Sequence, residues 1–179
     1  MPTLIVKLDD TDGSLIWKYA FNIARNLEVI NENIVYQGAV YSTYIEGDRI
    51  YVAGIYERIK RTYRVIGLPY NFIACLRDYG DSLSLEWFKT IDGVSEWGTS
   101  ISSVLSYNGY LYVNGDTGYP YILCLNKSSG ELLWARKVYP KVEDRVFNSL
   151  AIGSGYLYAL YGGYSALVYP RESISSPCI

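Results

Sequence analysis

The stretch Leu8-Asp9-Asp10-Thr11-Asp12-Gly13-Ser14-Leu15-Ile16-Trp17 returns later as Leu125-Asn126-Lys127-Ser128-Ser129-Gly130-Glu131-Leu132-Leu133-Trp134. Both copies read Leu, Asp or Asn, three residues, Gly, one residue, Leu, an aliphatic residue, Trp. A looser middle copy runs from Leu76 through Gly80 to Trp87, with two extra residues in its turn. An apolar run, a Gly-centred turn and a Trp-bearing run, repeated along one chain, predict a repeating hairpin in an all-β protein.

Between these units lies a second one, Ser42 to Tyr51, Ser103 to Tyr112 and Ser149 to Tyr158, with Ser and Tyr nine positions apart in each. Each encloses turn residues, Glu46-Gly47-Asp48, Tyr107-Asn108-Gly109 and Gly153-Ser154-Gly155. Gly and Asn tolerate the positive φ that tight hairpins require, so these segments predict hairpins as well. Combined, the two units give a four-strand cycle, a-b from the Ser/Tyr hairpin and c-d from the Leu/Trp hairpin. Trp87 and Trp134 are 47 positions apart, and Tyr112 and Tyr158 are 46. Those periods are those of four-stranded propeller blades.

The expected architecture is therefore an all-β propeller segment of four-stranded antiparallel blades, about three of them, with the ring incomplete. A partial blade is expected over 1–21, full blades over about 39–91 and 101–139, an incomplete blade over 146–170, and a tail over 171–179. Three blades fall below the usual range of four to eight, so an unpaired strand edge and an apolar blade face are expected. Self-association of two copies into a ring of about six blades, a partner that completes the ring, or a longer chain of which this is a fragment, answers both. The first interval, Trp17 to Trp87, is 70 residues and carries its excess in two connections expected to form loops at the rim.

Composition sets limits on chemistry. Half of the 179 residues are apolar, and 20 are tyrosines, which suit a pleated, half-buried surface. A net charge of -2 offers no basic footprint for nucleic acid. The chain contains no His, which excludes His-dependent triads, imidazole acid/base catalysis and His-ligated zinc. Cys75, Cys124 and Cys178 have no CxxC spacing, and the first two precede the repeat Leu where Lys7 stands in the first copy. They read as small strand residues. No run of 18 apolar residues occurs, so no membrane span is expected, and Lys7 interrupts the apolar start, so no export signal is read. The compartment stays open.

Several candidate sites have plainer roles. Asp9, Asp10 and Asp12 mimic a calcium loop, but with Gly13 at position six, Leu8 and Tyr19 occupy positions that require carboxylates. A solvated turn fits them better. Arg58, Lys60, Arg61, Tyr63 and Arg64, together with Trp97, form the candidate contact surface, of a basic and aromatic kind. Its plainer reading is a charged hairpin that keeps a strand edge soluble. Asn126-Lys127-Ser128 matches the N-glycosylation acceptor pattern, a short motif that recurs by chance.

The Leu/Gly/Trp motif resembles the repeat of the PQQ-like (pyrroloquinoline-quinone-type) β-propellers, whose blades carry Ala-Leu-Asp-Ala-x-Thr-Gly-x-x-x-Trp at the c-d hairpin. Leu8, Asp9, Gly13 and Trp17 match it, as do Leu125, Gly130 and Trp134, with Asn126 in place of Asp. Leu76 and Trp87 mark the middle copy. The resemblance implies that Gly permits the turn while Trp docks between blades with its indole N–H bonded. Its quinoprotein dehydrogenases hold PQQ and calcium in eight blades, against a Trp and commonly an adjacent Cys pair. This chain has no Cys-Cys and no segment matching the calcium ligands. The expectation is a non-catalytic binding or scaffold module with no cofactor, its protein or glycan contacts made by rim loops and inserted hairpins. The alternatives are a fragment of a PQQ-dependent dehydrogenase and a carbohydrate or cell-surface binding module.

Overall fold

The structure, a computed structural model, describes residues 3–21, 34–60, 70–91, 101–115, 121–137, 147–161 and 165–169. Thirteen strands lie in them: β1 (Thr3–Leu8), β2 (Leu15–Phe21), β3 (Ile34–Glu46), β4 (Arg49–Lys60), β5 (Tyr70–Asp78), β6 (Leu83–Ile91), β7 (Ile101–Tyr107), β8 (Tyr110–Gly115), β9 (Tyr121–Asn126), β10 (Leu132–Lys137), β11 (Phe147–Gly153), β12 (Tyr156–Tyr161) and β13 (Ser165–Tyr169). Sequential antiparallel pairing groups them into sheets of two, four, four and three strands: β1-β2, β3 to β6, β7 to β10 and β11 to β13. This is the strand count and order expected from the two repeats. No helix among the described residues is long and apolar enough to cross a membrane.

Turn chemistry sets the hairpins. Asn108-Gly109 and Ser154-Gly155 have positive φ at both central positions, the type I′ pattern, whereas Gly47 alone is positive before Asp48, the type II′ pattern. In the Leu/Trp hairpins the loop is copied bond for bond. Asp9 N–H donates to the Ser14 carbonyl and Gly13 N–H to the Asp9 carbonyl, as Asn126 N–H donates to Glu131 and Gly130 N–H to Asn126. The side chains repeat too: Asp9 Oδ1 accepts the Thr11 N–H at 2.8 Å and Asn126 Oδ1 accepts the Ser128 N–H at 2.9 Å. Asn replaces Asp because the turn needs only that one acceptor oxygen.

Register repeats as faithfully. Lys7 pairs with Trp17, Cys75 with Trp87 and Cys124 with Trp134, and each pair is followed by a shift that makes Ile16, Glu86 or Leu133 a bulge. The a-b hairpins shift just before Ser42, Ser103 and Ser149.

The sheets stack face to face in chain order, and this explains a departure from alternation. β4, β5, β8 and β9 contain continuous buried runs because both of their faces are covered. Ile50, Val52, Phe72, Ala74 and Leu76 pack against Trp17 and Phe21 of the first sheet. Tyr51, Ala53, Ile73 and Cys75, from the opposite face, pack against Leu111, Val113, Tyr121, Leu123 and Leu125. Tyr112, Ile122 and Cys124 meet Leu150, Leu157 and Ala159 of the last sheet. The first strands of successive sheets, β3, β7 and β11, are neighbours, and the Ser42 hydroxyl accepts the Val104 N–H across the first of these junctions at 3.1 Å.

Two expectations need correction. The second sheet begins at Ile34 rather than near residue 39, and β4 runs to Lys60. Arg58 and Lys60 therefore continue a long β3-β4 ladder opposite Tyr36 and Ile34, so the extra length is partly strand rather than rim loop or separate hairpin. Arg61, Tyr63, Arg64 and Trp97 lie outside the described residues, as do Cys178 and the tail over 171–179.

Candidate functional site

Each repeat Trp faces the next sheet in the stack. Trp17 is almost fully buried, and its indole N–H donates to Asp78 Oδ1 of the second sheet at 3.3 Å. Trp87 packs on Gly130 of the third sheet, where an added Cβ would fall 2.6 Å from the ring; Gly130 also has φ +70°. Trp134 packs in the cluster between the third and fourth sheets. The bonded indole expected at every copy is not general, because Trp87 Nε1 is buried with no partner among the described residues. Tyr51 and Tyr112 stand beside Trp87 and Trp134, with ring centroids 6.2 Å apart in both copies, and complete a repeated Tyr–Cys–Trp row across strands b, c and d.

The cysteines in those rows are structural. Cys75 and Cys124 are both buried, and burial followed by the neighbouring Glu86 carboxylate pushes the Cys75 thiol up to about 12. A thiol so far above neutrality is no nucleophile. Thiol titration of the native protein at pH 8 should therefore label neither residue, with full labelling appearing only in denaturant.

Charges bind sheet to sheet at the turn end of the stack. Lys7 Nζ pairs with Asp78 Oδ2 at 2.7 Å and reaches the Gly80 carbonyl, tying the first sheet to the second. Lys127 Nζ reaches Glu46 Oε2 at 2.8 Å, where the Ser106 hydroxyl also donates, tying the third sheet to the second. Within the second sheet Glu86 receives Arg49 at 2.9 Å and Arg77 at 3.2 Å. Asp78, Glu46 and Glu86 are all held below the ordinary carboxylate range, first by the hydrogen bonds from Lys7, Lys127 and Arg49 respectively. A depressed carboxylate pKa contributes stability above its unfolded value and loses it as pH falls through the folded one. Thermal midpoints should thus be flat near neutrality and fall below about pH 4, with a shallower fall in Asp78→Asn.

The open end of the stack stands apart from the rest. β1 pairs only with β2, and no other described strand pairs with its second edge, the place where a further strand would add. Beside that edge a cleft of about 440 Å³ is lined by residues that include Ile5, Val6, Lys7, Trp17, Thr43, Ile45, Ile50 and Asp78. Ile45 is exposed, although the equivalent surfaces deeper in the stack are covered. On the far face of β1, Leu4, Val6 and Leu8 are 60%, 47% and 53% exposed. The register aligns them with Phe72, Ala74 and Leu76 and with Tyr121, Leu123 and Leu125, none of which is more than 1% exposed.

The sequence-selected residues thus divide. Leu8, Asp9, Gly13, Trp17, Leu76, Trp87, Leu125, Asn126, Gly130 and Trp134 build turns and sheet contacts, and no cluster of three Asp, Glu or Cys among the described residues is placed to hold a metal ion. Arg58 and Lys60 lie along β4, in ladder register with Tyr36 and Ile34. The cleft residues Thr43 and Ile45 were missed. The signal for them was the mismatch between a c-d hairpin at 3–21 and the a-b hairpin that precedes c-d in the other sheets.

No protein-family model matches the chain, and no curated protein matches it. Among solved structures, the polysaccharide lyase Uly1 is similar at a TM-score of 0.37 and 14% identity, over 88% of this chain and 31% of that one. The chain spans less than a third of that lyase's length, and no residue role passes from one to the other at this similarity.

Proposed function

We propose that the chain is a PQQ-like β-propeller segment that works as a non-catalytic binding or scaffold module, making its contacts at the open ends of its sheet stack. One observation supports this above the others. Four antiparallel sheets stack in chain order with β3, β7 and β11 side by side, and the described residues leave a strand edge and apolar faces of the terminal sheets uncovered. Uncovered apolar surface next to a free strand edge is a recognition surface for another strand. The absence of His and the raised pKa of the buried Cys75 thiol agree with a binding role.

The competing dehydrogenase reading is tested by adding PQQ and calcium to purified protein and following dye reduction with alcohol and sugar substrates. The binding-module reading predicts the buffer rate. Calcium-dependent dye reduction with tight quinone binding would replace it with the enzyme.

A further inference from the structure

We infer that the occupant of the open β1 edge is the β11-β12 hairpin of a second copy of this chain, exchanged reciprocally so that two copies close one ring. This rests on the propeller reading above and names its partner. The template lies inside the chain. In the second sheet the b and c strands pair Ile50 with Leu76, Tyr51 with Cys75 and Val52 with Ala74. In the third they pair Leu111 with Leu125, Tyr112 with Cys124 and Val113 with Leu123. β1 carries the c-strand sequence with no b strand beside it among the described residues, and β12 carries the b-strand sequence. The same register places Leu157 opposite Leu8 of the other copy, Tyr158 opposite Lys7 and Ala159 opposite Val6.

The faces match as well as the edges. Leu157 and Ala159 are buried against the third sheet, so Val6 and Leu8 of the other copy would extend that buried face and lose their exposure. Leu160 is 47% exposed, whereas its equivalents Ala53 and Asn114 are fully buried by a following sheet. In the exchanged arrangement Tyr158 and Leu160 turn toward Thr43 and Ile45 of the other copy and fill the cleft. Lys7 gives the joint its selectivity. A charged side chain facing inward from an edge strand discourages indiscriminate pairing, and here the facing residue is a Tyr whose hydroxyl reaches a polar pair, Lys7 with Asp78.

The competitor for the edge of β12 is β13, which pairs Val168 with Tyr158. β13 has no further strand beside it among the described residues, whereas β1 arrives joined to β2 and its docking Trp17. Exchange therefore replaces a three-strand sheet with the four-strand sheet seen twice within the chain. The two-fold relation closes on itself, and the ring holds six blades, within the usual range.

Disulfide trapping tests the register. In a Cys178→Ser background, Lys7→Cys with Tyr158→Cys should give a covalent dimer on mild oxidation, because directly opposed strand residues are within bridging reach. Lys7→Cys with Ala159→Cys should give none, since a one-residue shift sends the side chains to opposite faces. A cross-link within one chain, or a folded double variant that stays monomeric and uncross-linked, overturns the inference while leaving the quinone assay as the test of the underlying reading. If removing Lys7 unfolds the protein, Val6→Asp decides instead: its site is already half-exposed in the single chain, so the variant should stay folded and its solution mass should halve. An unchanged mass would refute the exchange.

Discussion

Replacing Gly54 by Ala is expected to be strongly destabilising, costing about 3 kcal/mol in urea unfolding. Gly54 sits in β4 between Val40 and Phe72, at the point where the β3 ladder shifts register. An added Cβ would overlap the Ala39 carbonyl oxygen and fall 2.9 Å from Val40 Cα. Both obstacles are backbone, so neither can rotate away as a side chain would. Relief requires separating β3 from β4, the hairpin that carries Thr43, Ile45 and Ile50 into the cleft. Gly153→Ala is the control. No φ strain applies there and the nearest atom is 4.0 Å away on the Tyr158 ring, so the change should stay within about 0.5 kcal/mol.

The second large effect is expected at Phe72→Ala, at about 3 to 5 kcal/mol. Phe72 is fully buried, stacks on Phe88 at 5.4 Å and meets Phe21 at 5.8 Å, while Phe21 and Phe88 are 6.2 Å apart. This three-ring cluster fastens β2 to the second sheet. A two-stranded sheet has little stability alone, so losing the central ring should release residues 3–21 before the rest unfolds. Hydrogen exchange should show β1 and β2 losing protection first, with β8 and β9 last. Uniform loss along the chain would mean that the first sheet is not a separable unit. Tyr79→Ala, at an exposed turn, should change neither pattern nor midpoint.

Much of this architecture is legible in the sequence because it repeats. Gly13, Gly130 and the Asn108-Gly109 pair need positive φ, so they mark turns wherever they recur, and the Trp positions fix the register of strand d relative to strand c. The ends of β3 and β4 are less legible. Glu57, Arg58 and Lys60 look like loop residues, yet β3 and β4 continue their ladder past the Tyr56–Tyr70 pair that ends the β4–β5 ladder, as a two-stranded extension that can carry charge. The partner of each indole is not readable either, since Trp17 meets a carboxylate, whereas Trp87 meets the bare backbone of Gly130. The open face is the subtlest case. Leu4, Val6 and Leu8 have the composition of buried strand residues, and only the stacking order reveals that nothing among the described residues covers them.

The central claim, an open stack of sheets completed by its own kind, is tested most directly by the molar mass of the native chain in solution, measured by light scattering across micromolar concentrations. The account predicts twice the 20.3 kDa of one chain. A folded particle of 20.3 kDa at every concentration would contradict it.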